Sequence, residues 1–351
     1  MKAVVFTGTG RVAVEDVPAP VVIEEDDALV SVTHSAICGS DIHAVSGKSL
    51  ELEAGDILGH EFVGTVVDMG ERVRGHREGA RVLGSFLIAC GDCPACGSGR
   101  YNNCPNRRAL GLGGTVGGLA GAQAELVRMP HADLNLLSLE EAHGSLTDEQ
   151  ALFGGDILAT GFHAAEISQI SPGETVVVIG AGPVGLLVAA ACRLRGPRDL
   201  LLLDTNPDRA HFARESLGLN AIDVSGEEPW RAVAARTAGA MADVAIDAVG
   251  AVVAFKSALR CVREGGRVTV VGVYGSERYE APMGRLWASG VTIRFSGMSN
   301  VHAHWEDALG AVERGEIDPT ALITHRLPLG SAEEGYELFA SGKATKVVLA
   351  P

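Results

Sequence analysis

Short apolar runs dominate the amino-terminal half of the chain. They alternate with polar residues or stay apolar throughout, and Gly, Pro or acidic residues bound them. This pattern is typical of β-strands. We therefore expect a β-rich region whose strands include KAVVF at 2–6, RVAVEDV at 11–17, ALVSVTH at 28–34, GTVVDMG at 64–70 and ARVLGSF at 80–86.

The pattern changes between residues 168 and 298. Apolar strand-like runs there alternate with stretches of helical periodicity, which predicts a doubly wound parallel α/β sheet. The predicted strands cover 175–180, 199–205, 242–250 and 267–275, and the predicted helices cover 183–196, 207–218 and 255–266. Beyond them the pattern predicts helices over 305–317 and 331–342 and a last strand at 346–351.

Length, charge and glycine content narrow the class of protein. A chain of 351 residues suggests about two domains, and its 45 glycines suit many short strands better than a helical bundle. The formal charge of −15 disfavours nucleic acid and anionic membranes as partners. We see neither a signal peptide at the start nor an apolar run long enough to span a bilayer, and we therefore expect a cytoplasmic protein.

Four cysteines lie close together in the segment CGDCPACGSGRYNNC. Cys90, Cys93, Cys96 and Cys104 have the spacing C-x2-C-x2-C-x7-C. Four thiolates can complete a tetrahedral shell around one zinc ion, and such a shell has no position left for substrate. The spacing therefore predicts a structural zinc site in a lobe at about 90–104.

A glycine-rich motif follows the predicted strand at 175–180 and opens the next predicted helix. It reads G-x-G-x-x-G and comprises Gly180, Gly182, Pro183, Val184 and Gly185. In this context the motif is typical of dinucleotide binding, with the pyrophosphate at the helix N-terminus. Asp204 ends the following strand, where a carboxylate accepts hydrogen bonds from ribose hydroxyls and repels the extra phosphate of NADP. The motif therefore predicts NAD, and we expect Arg209 to flank the adenine.

Two further segments contain residues that zinc enzymes use as ligands. Cys38 lies in ICGSDIH, and His60 lies in LGHEFVG. A thiolate and an imidazole can supply two ligands of a catalytic zinc, which also needs a third ligand and an open position. Taken singly, Cys38 is equally compatible with a core thiol, and His60 with a hydrogen-bonded core histidine.

The order of these motifs resembles that of the zinc-dependent alcohol dehydrogenases in the medium-chain dehydrogenase/reductase family, from end to end. Residues 59–73 meet the pattern G-H-E-x2-G-x5-G-x2-V in full, and the four cysteines and the dinucleotide motif follow in the family's order. The resemblance implies a GroES-like β-rich catalytic domain formed by 1–156 and 298–351, and a Rossmann NAD-binding domain at 157–297. It also implies a homodimer or homotetramer with two zinc ions per chain, one catalytic and one structural.

The resemblance further implies a ligand set for the catalytic zinc. Cys38 and His60 match the family's ligands, and Asp156 stands where members place Cys, Glu or Asp. Glu61 is near enough to move onto the metal when water or substrate leaves. A Cys/His/Asp set is closer to the secondary-alcohol and formaldehyde-dehydrogenase-like branches. Asp156 is also compatible with a helix N-cap.

The same resemblance implies a path for the proton. Ser40 matches the hydroxyl that bonds the substrate oxygen, and His43 matches the distal member of the relay. Asp41 matches the carboxylate that orients His60, and Thr160 is expected to pack against the nicotinamide ring. Together these roles imply an enzyme that transfers a hydride between a small primary, secondary or polyol alcohol and NAD. Oxidation of the alcohol gives the aldehyde or ketone.

Three alternatives stay open at this point. One is a formaldehyde-dehydrogenase-like or dismutase-like enzyme that acts on small aldehydes, and another is a polyol or amino-alcohol dehydrogenase. The third is a non-catalytic binding protein on the same fold, although such relatives typically lose zinc ligands that this chain keeps. Lys48 is the one basic residue between 45 and 57, which weighs against a phosphorylated substrate.

Overall fold

The computed structural model describes residues 1–47, 51–140, 143–275 and 278–351, so Lys48 lies outside the described residues. The contacts divide the chain into two compact units, Met1–Ala159 with Asn300–Pro351, and Thr160–Ser299. None of the helices within the described ranges is long and apolar enough to cross a membrane.

The strands are short, as the apolar runs predict. They are β1 Lys2–Gly8, β2 Arg11–Asp16, β3 Ala28–Ile37, β4 Glu61–Met69, β5 Arg81–Gly84, β6 Leu87–Ile88, β7 Arg108–Ala109, β8 Leu126–Met129, β9 Leu136–Ser138, β10 Thr175–Ile179, β11 Asp199–Asp204, β12 Ala221–Asp223, β13 Ala242–Asp247, β14 Val262–Val270, β15 Thr292–Phe295, β16 Ile323–Pro328 and β17 Lys346–Ala350.

The helices fall mainly in the second unit and in the carboxyl-terminal segment. They are α1 Gly39–Val45, α2 Pro94–Gly97, α3 Ala132–Asn135, α4 Asp148–Leu152, α5 Ile157–Ile167, α6 Pro183–Arg193, α7 Pro207–Leu217, α8 Pro229–Arg236, α9 Val252–Cys261, α10 Met283–Ser289, α11 Trp305–Glu313 and α12 Ala332–Ala340. Short 3-10 helices cover Tyr101–Asn103, Gly114–Val116, Phe153–Gly155, Val301–His304, Pro319–Leu322 and Leu329–Ser331.

The first unit is built on a sheet with the strand order β16-β17-β3-β4-β5-β9, in which β8 also pairs with β3. Strand β3 runs antiparallel to both β4 and β17, with Ala36 opposite Glu61 and Ile37 opposite Val347. The end of β3 therefore lies beside the beginnings of β4 and β17. Apolar side chains that alternate along β3 and β4, among them Val30, Phe62 and Val66, form the core beneath this sheet.

The second unit contains a parallel sheet with the order β12-β11-β10-β13-β14-β15. All five residues of β10 are buried, as a parallel sheet covered on both faces requires. This is the Rossmann strand order, in which the chain changes direction beside β10 and ligands bind at the carboxyl ends of the strands. The doubly wound parallel sheet expected from the sequence is thus confirmed.

Two predicted helices are too long by four or five residues at the carboxyl-terminal end. The helix predicted over 255–266 ends at Cys261, because Val262 already pairs with Ala242 in the sheet and residues 263–266 bulge out before Arg267 pairs with Val244. The helix predicted over 305–317 ends at Glu313, and Gly315 turns the chain with a φ of 67°.

Candidate metal centres and cofactor site

Three potential metal ligands meet near the end of β3. The ligand atoms of Cys38, His60 and Asp156 all lie within 4.8 Å of one another. His60 Nε2 is 3.3 Å from Asp156 Oδ2, and Cys38 Sγ is 3.6 Å from the same oxygen. All three side chains are largely buried. One soft thiolate, one imidazole and one carboxylate form a donor set that fits zinc and leaves a tetrahedral position open.

Local structure explains how Cys38 and Asp156 reach this point. Cys38 is the N-cap of α1, and its amide donates a 2.8 Å hydrogen bond to Asp41. Asp156 follows a 3-10 helix whose last residue, Gly155, packs against the backbone of β5. A Cβ at Gly155 would lie 2.4 Å from the carbonyl oxygen of Gly84, so only glycine allows this approach.

A chain of buried polar contacts holds the His60 ring. His60 Nδ1 lies 3.0 Å from Asp41 Oδ1, and Gln123 donates to Asp41 at 3.3 Å. Tyr336 in turn donates to Gln123 at 2.8 Å. Burial lowers the pKa of His60, but Asp41 and Asp156 outweigh it and raise that pKa well above its ordinary value. The surroundings of the ring therefore favour a positive charge at this point.

The predicted relay residues lie on α1. Ser40 Oγ is 3.3 Å from His60 Nε2 and is partly exposed. His43 is exposed one helical turn further along α1. The structure thus brings Ser40 to the cluster and leaves His43 in contact with solvent.

Glu61 does not join the cluster of three ligands. It is fully buried, and its Oε2 pairs with the ammonium of Lys346, whose side chain is 1% exposed. Sequence reasoning missed Lys346, Gln123 and Tyr336. For Lys346 a signal was available, since a lysine heads the otherwise apolar last strand.

The four cysteines of the lobe also meet. Their sulfur atoms lie within 4.8 Å of one another, and Cys90 Sγ and Cys104 Sγ are 3.5 Å apart. That separation is far beyond a disulfide bond and close to the sulfur–sulfur edge of about 3.8 Å that a tetrahedron with zinc–sulfur bonds of about 2.3 Å would have. All seven cysteines of the chain are unpaired. The lobe therefore fits a closed zinc site.

In the second unit, the glycine motif forms a tight turn between β10 and α6. Gly180 has a φ of 99°, and a Cβ at Gly185 would lie 1.8 Å from the carbonyl oxygen of Gly180. Gly182 is the N-cap of α6, with Pro183 and Val184 in the first turn, and a Cβ there would meet no described atom within 4 Å. Uncapped amides at a helix N-terminus beside open space suit a pyrophosphate.

Asp204 anchors this turn. Its two carboxylate oxygens accept hydrogen bonds from the amides of Ala181 at 2.6 Å and Asn206 at 2.7 Å. Each oxygen keeps a second lone pair for a ligand hydroxyl. Arg209 is exposed on α7, and Thr160 is buried on α5.

Comparison with known proteins agrees with this geometry. Residues 24–139 match the model of the alcohol dehydrogenase GroES-like domain, and residues 183–314 match that of the zinc-binding dehydrogenase domain. A zinc-type alcohol dehydrogenase-like protein of Bacillus subtilis (strain 168) is 32% identical over 100% of both chains. The chain belongs to the zinc-dependent alcohol dehydrogenases of the medium-chain dehydrogenase/reductase family.

Solved structures support the same membership. The alcohol dehydrogenase TADH from Thermus sp. ATN1 superposes with a TM-score of 0.93 at 40% identity, covering 100% of this chain and 99% of that one. A zinc-binding dehydrogenase of Sinorhizobium meliloti 1021 bound to NADP superposes with a TM-score of 0.86 at 30% identity, covering 100% and 99%. As a family member, this alcohol dehydrogenase is a zinc-dependent oxidoreductase that acts on small-molecule alcohols with a nicotinamide cofactor.

Proposed function

We propose that this alcohol dehydrogenase oxidises alcohols with NAD at a catalytic zinc bound by Cys38, His60 and Asp156. The observation that carries the proposal is the mutual approach of these three largely buried ligand groups, whose ligand atoms lie within 4.8 Å of one another in the first unit. The Cys/His/Asp set also favours the secondary-alcohol branch of the family, or its formaldehyde-dehydrogenase-like neighbour.

The residues of α1 carry the proton in this proposal. A zinc ion held by Cys38, His60 and Asp156 would supply Lewis-acid chemistry that makes the substrate hydroxyl more acidic. Ser40 accepts the alcohol proton, since its hydroxyl lies at the cluster, 3.3 Å from His60 Nε2. His43, which is exposed, is the distal member of the relay to solvent. Asp41 keeps the His60 ring oriented and basic.

We further propose a second, structural zinc bound by the four cysteines of the lobe. Their spacing and the 3.5 Å contact between Cys90 and Cys104 support it. Metal binding there contributes to local folding, because among the described residues the apolar cluster around the thiols adds only Ala89, Tyr101 and Leu134.

The preference for NAD over NADP rests on Asp204. Its carboxylate ends β11 and is 9% exposed beside the glycine motif, so a ribose phosphate at this point would meet a negative charge. In this proposal Gly180, Gly182 and Gly185 carry the pyrophosphate. Thr160 contacts the nicotinamide, and Arg209 flanks the adenine.

The proposal also covers the oligomeric state of the protein and its cellular compartment. On α10, Trp287 is 86% exposed and Met283 68%, and Phe295 is 64% exposed on β15, which is the last strand of the parallel sheet among the described residues. An apolar surface of this kind beside an edge strand is typical of a protein interface, which supports a homodimer or homotetramer. Seven unpaired thiols support a reducing compartment such as the cytoplasm.

Metal analysis of purified variants tests the two zinc sites. Wild type should contain two zinc ions per chain. Cys38→Ser should contain one and lose nearly all turnover while its thermal unfolding stays close to wild type. Cys93→Ser should lose the other ion and unfold at a lower temperature. A single ion that survives Cys38→Ser contradicts the catalytic assignment.

A substrate panel tests the reaction. We expect NAD reduction at alkaline pH with secondary alcohols, and we would compare it with primary alcohols, polyols and formaldehyde. If formaldehyde is the one substrate that is turned over, the chain would be assigned instead to the aldehyde-oxidising branch of the family.

A further inference from the structure

A glutamine is buried behind the proposed metal ligands, and both polar atoms of its side-chain amide are paired. Gln123 is 0% exposed. Its Nε2 donates to the carbonyl oxygen of Ala36 at 3.0 Å and to Asp41 Oδ2 at 3.3 Å. Its Oε1 accepts a 2.8 Å hydrogen bond from the hydroxyl of Tyr336. A buried amide without partners would be destabilising, so these contacts explain how the core accommodates it.

The same partners select one orientation of the amide. Turned over, the amide would bring its oxygen against the Ala36 carbonyl and the Asp41 carboxylate, which accept hydrogen bonds and cannot donate them. Burial raises the pKa of Tyr336 well above its ordinary value, so its hydroxyl keeps a proton to donate to Oε1. The Gln123 amide therefore presents a hydrogen to Asp41.

The backbone leaves room for this side chain. Gly59 has a φ of 90°, and a Cβ at that position would lie 2.3 Å from Gln123 Cγ. The main chain of Gln123 is also held, because its amide donates to Leu58 at 2.9 Å and its carbonyl accepts from Val4 at 2.8 Å. The glycine that opens the G-H-E motif thus allows Gln123 to reach Asp41.

Asp41 passes this orientation on to His60. Asp41 Oδ2 accepts from the Cys38 amide at 2.8 Å and from Gln123 at 3.3 Å. Asp41 Oδ1 lies 3.0 Å from His60 Nδ1. The torsion that turns an aspartate carboxylate is soft, so a single donor on Oδ2 would leave the carboxylate plane free to rotate, whereas donors from two directions fix it. Rotation of that plane would carry Oδ1 away from the ring.

We propose that Gln123, oriented by Tyr336, is a positioning residue for the catalytic metal. Gln123 holds the Asp41 carboxylate in the plane that keeps the Nε2 lone pair of His60 directed at the metal. This inference rests on the proposed catalytic zinc. The metal site is thus supported from α12, which lies in the segment that follows the second unit.

Metal affinity tests the proposal. Co²⁺ is exchanged into the open site of protein whose closed lobe keeps zinc, and a competing chelator sets its free concentration. Gln123→Met removes the amide and keeps the length of the side chain. We expect the affinity of the Cys38 cluster for Co²⁺ to fall about 10-fold, the lower end of the range for residues that support metal ligands. Tyr336→Phe removes only the hydroxyl and should lower the affinity by a smaller factor.

A buried hydrogen bond elsewhere provides the matched control for loss of stability. Ser168 donates to Thr269 at 2.8 Å within the second unit, and both side chains are buried. Ser168→Ala should lower the unfolding temperature, as Tyr336→Phe should, but leave the affinity for Co²⁺ unchanged. If Gln123 contributed to stability alone, Gln123→Met would also keep the wild-type affinity.

A double variant tests whether Gln123 acts through Asp41. Asp41→Asn already disrupts the contact with His60, so the addition of Gln123→Met should change the affinity for Co²⁺ by less than about 2-fold. Losses that add in full would show that Gln123 does not act through Asp41.

The outcomes separate this inference from the function on which it rests. Wild-type affinity in Gln123→Met, or an additive loss in the double variant, overturns the role of Gln123. If Gln123→Met does not fold, Tyr336→Phe decides, because its affinity must fall while that of Ser168→Ala does not. A wild-type protein whose metal content is unchanged by Cys38→Ser overturns the catalytic zinc itself.

Discussion

The Asp41 carboxylate holds the His60 ring by its Nδ1 atom, at 3.0 Å, so that Nε2 faces Cys38 and Asp156. A carboxylate in this place accepts the Nδ1 proton and leaves the Nε2 lone pair for a metal. The orientation of the ligand is therefore set by a residue that lies on a different element, α1.

Asp41→Asn should reverse this arrangement. The asparagine oxygen can still accept from the amide of Cys38, but its NH2 group then faces Nδ1 and places the ring proton on Nε2. We expect zinc affinity and turnover to fall by about 10- to 100-fold with a small change in stability. Zinc titration with a competing chelator measures the effect, and Asp68→Asn, at an exposed aspartate on β4, is the control that should change nothing.

Asp156→Asn distinguishes a zinc ligand from a helix cap. Asparagine caps a helix about as well as aspartate but is a poor zinc ligand. If Asp156 binds the metal, stability should stay near wild type while catalytic zinc and turnover fall steeply. If Asp156 only caps α5, Asp156→Asn should match wild type in stability, zinc content and turnover. Asp156→Ala should then lose about 1 kcal/mol of stability and keep its turnover. Full activity with two zinc ions in Asp156→Asn would instead point to Glu61.

Asp204→Ser should narrow the preference for NAD. Serine removes the negative charge that opposes a ribose phosphate, so the KM for NADP should fall. Because Asp204 also accepts from the amides of Ala181 and Asn206, the KM for NAD should rise as well. Steady-state kinetics with both cofactors measure the ratio of kcat/KM. A wild-type enzyme that uses NADP as readily as NAD would contradict the role given to Asp204.

Asp148 links stability to pH. Hydrogen bonding from His34 and Thr33, with the Arg81 guanidinium 2.7 Å away, lowers the pKa of Asp148 from 3.8 to about 2. Since the folded pKa lies below the unfolded one, the stabilisation is complete above about pH 5 and is lost as the pH falls toward 2.

Asp148→Asn should therefore cost about 1 to 2 kcal/mol at pH 7, after allowance for solvent screening. The difference in unfolding free energy between this variant and wild type should shrink below about pH 4. Thermal unfolding between pH 7 and 3 measures this. Asp16→Asn, which removes an exposed partner of Lys2, should change little at any pH.

The sequence predicts the second unit well because its signals are local. Strand β10, the glycine motif and α6 follow one another within about twenty residues, and each has its own periodicity. The carboxyl-terminal end of the helix predicted over 255–266 is wrong for the opposite reason. Whether Val262 joins a helix or a strand depends on Ala242, which is its neighbour in the sheet but distant along the chain.

The same distinction holds at the metal cluster. Residues whose types and motifs carry the chemistry, such as Cys38 and His60, are visible in the sequence. The residues that surround and hold these ligands are not visible in the sequence. Tyr336 lies 213 residues from Gln123, and Lys346 lies 285 residues from Glu61. No periodicity relates positions so far apart. The pairing of β17 with β3 brings Lys346 to Glu61, and the packing of α12 brings Tyr336 to Gln123.

The position of β17 in the chain has a consequence for how the protein is made on the ribosome. The four cysteines of the lobe lie in one continuous segment, so all four thiol groups are present soon after residue 104 is synthesised. The partner of Glu61 is not present until residue 346, after the whole second unit. Chains fold progressively as they emerge. In the proposed two-zinc protein, the lobe of cysteines can therefore be loaded early, and the Cys38 cluster reaches its final charge balance last.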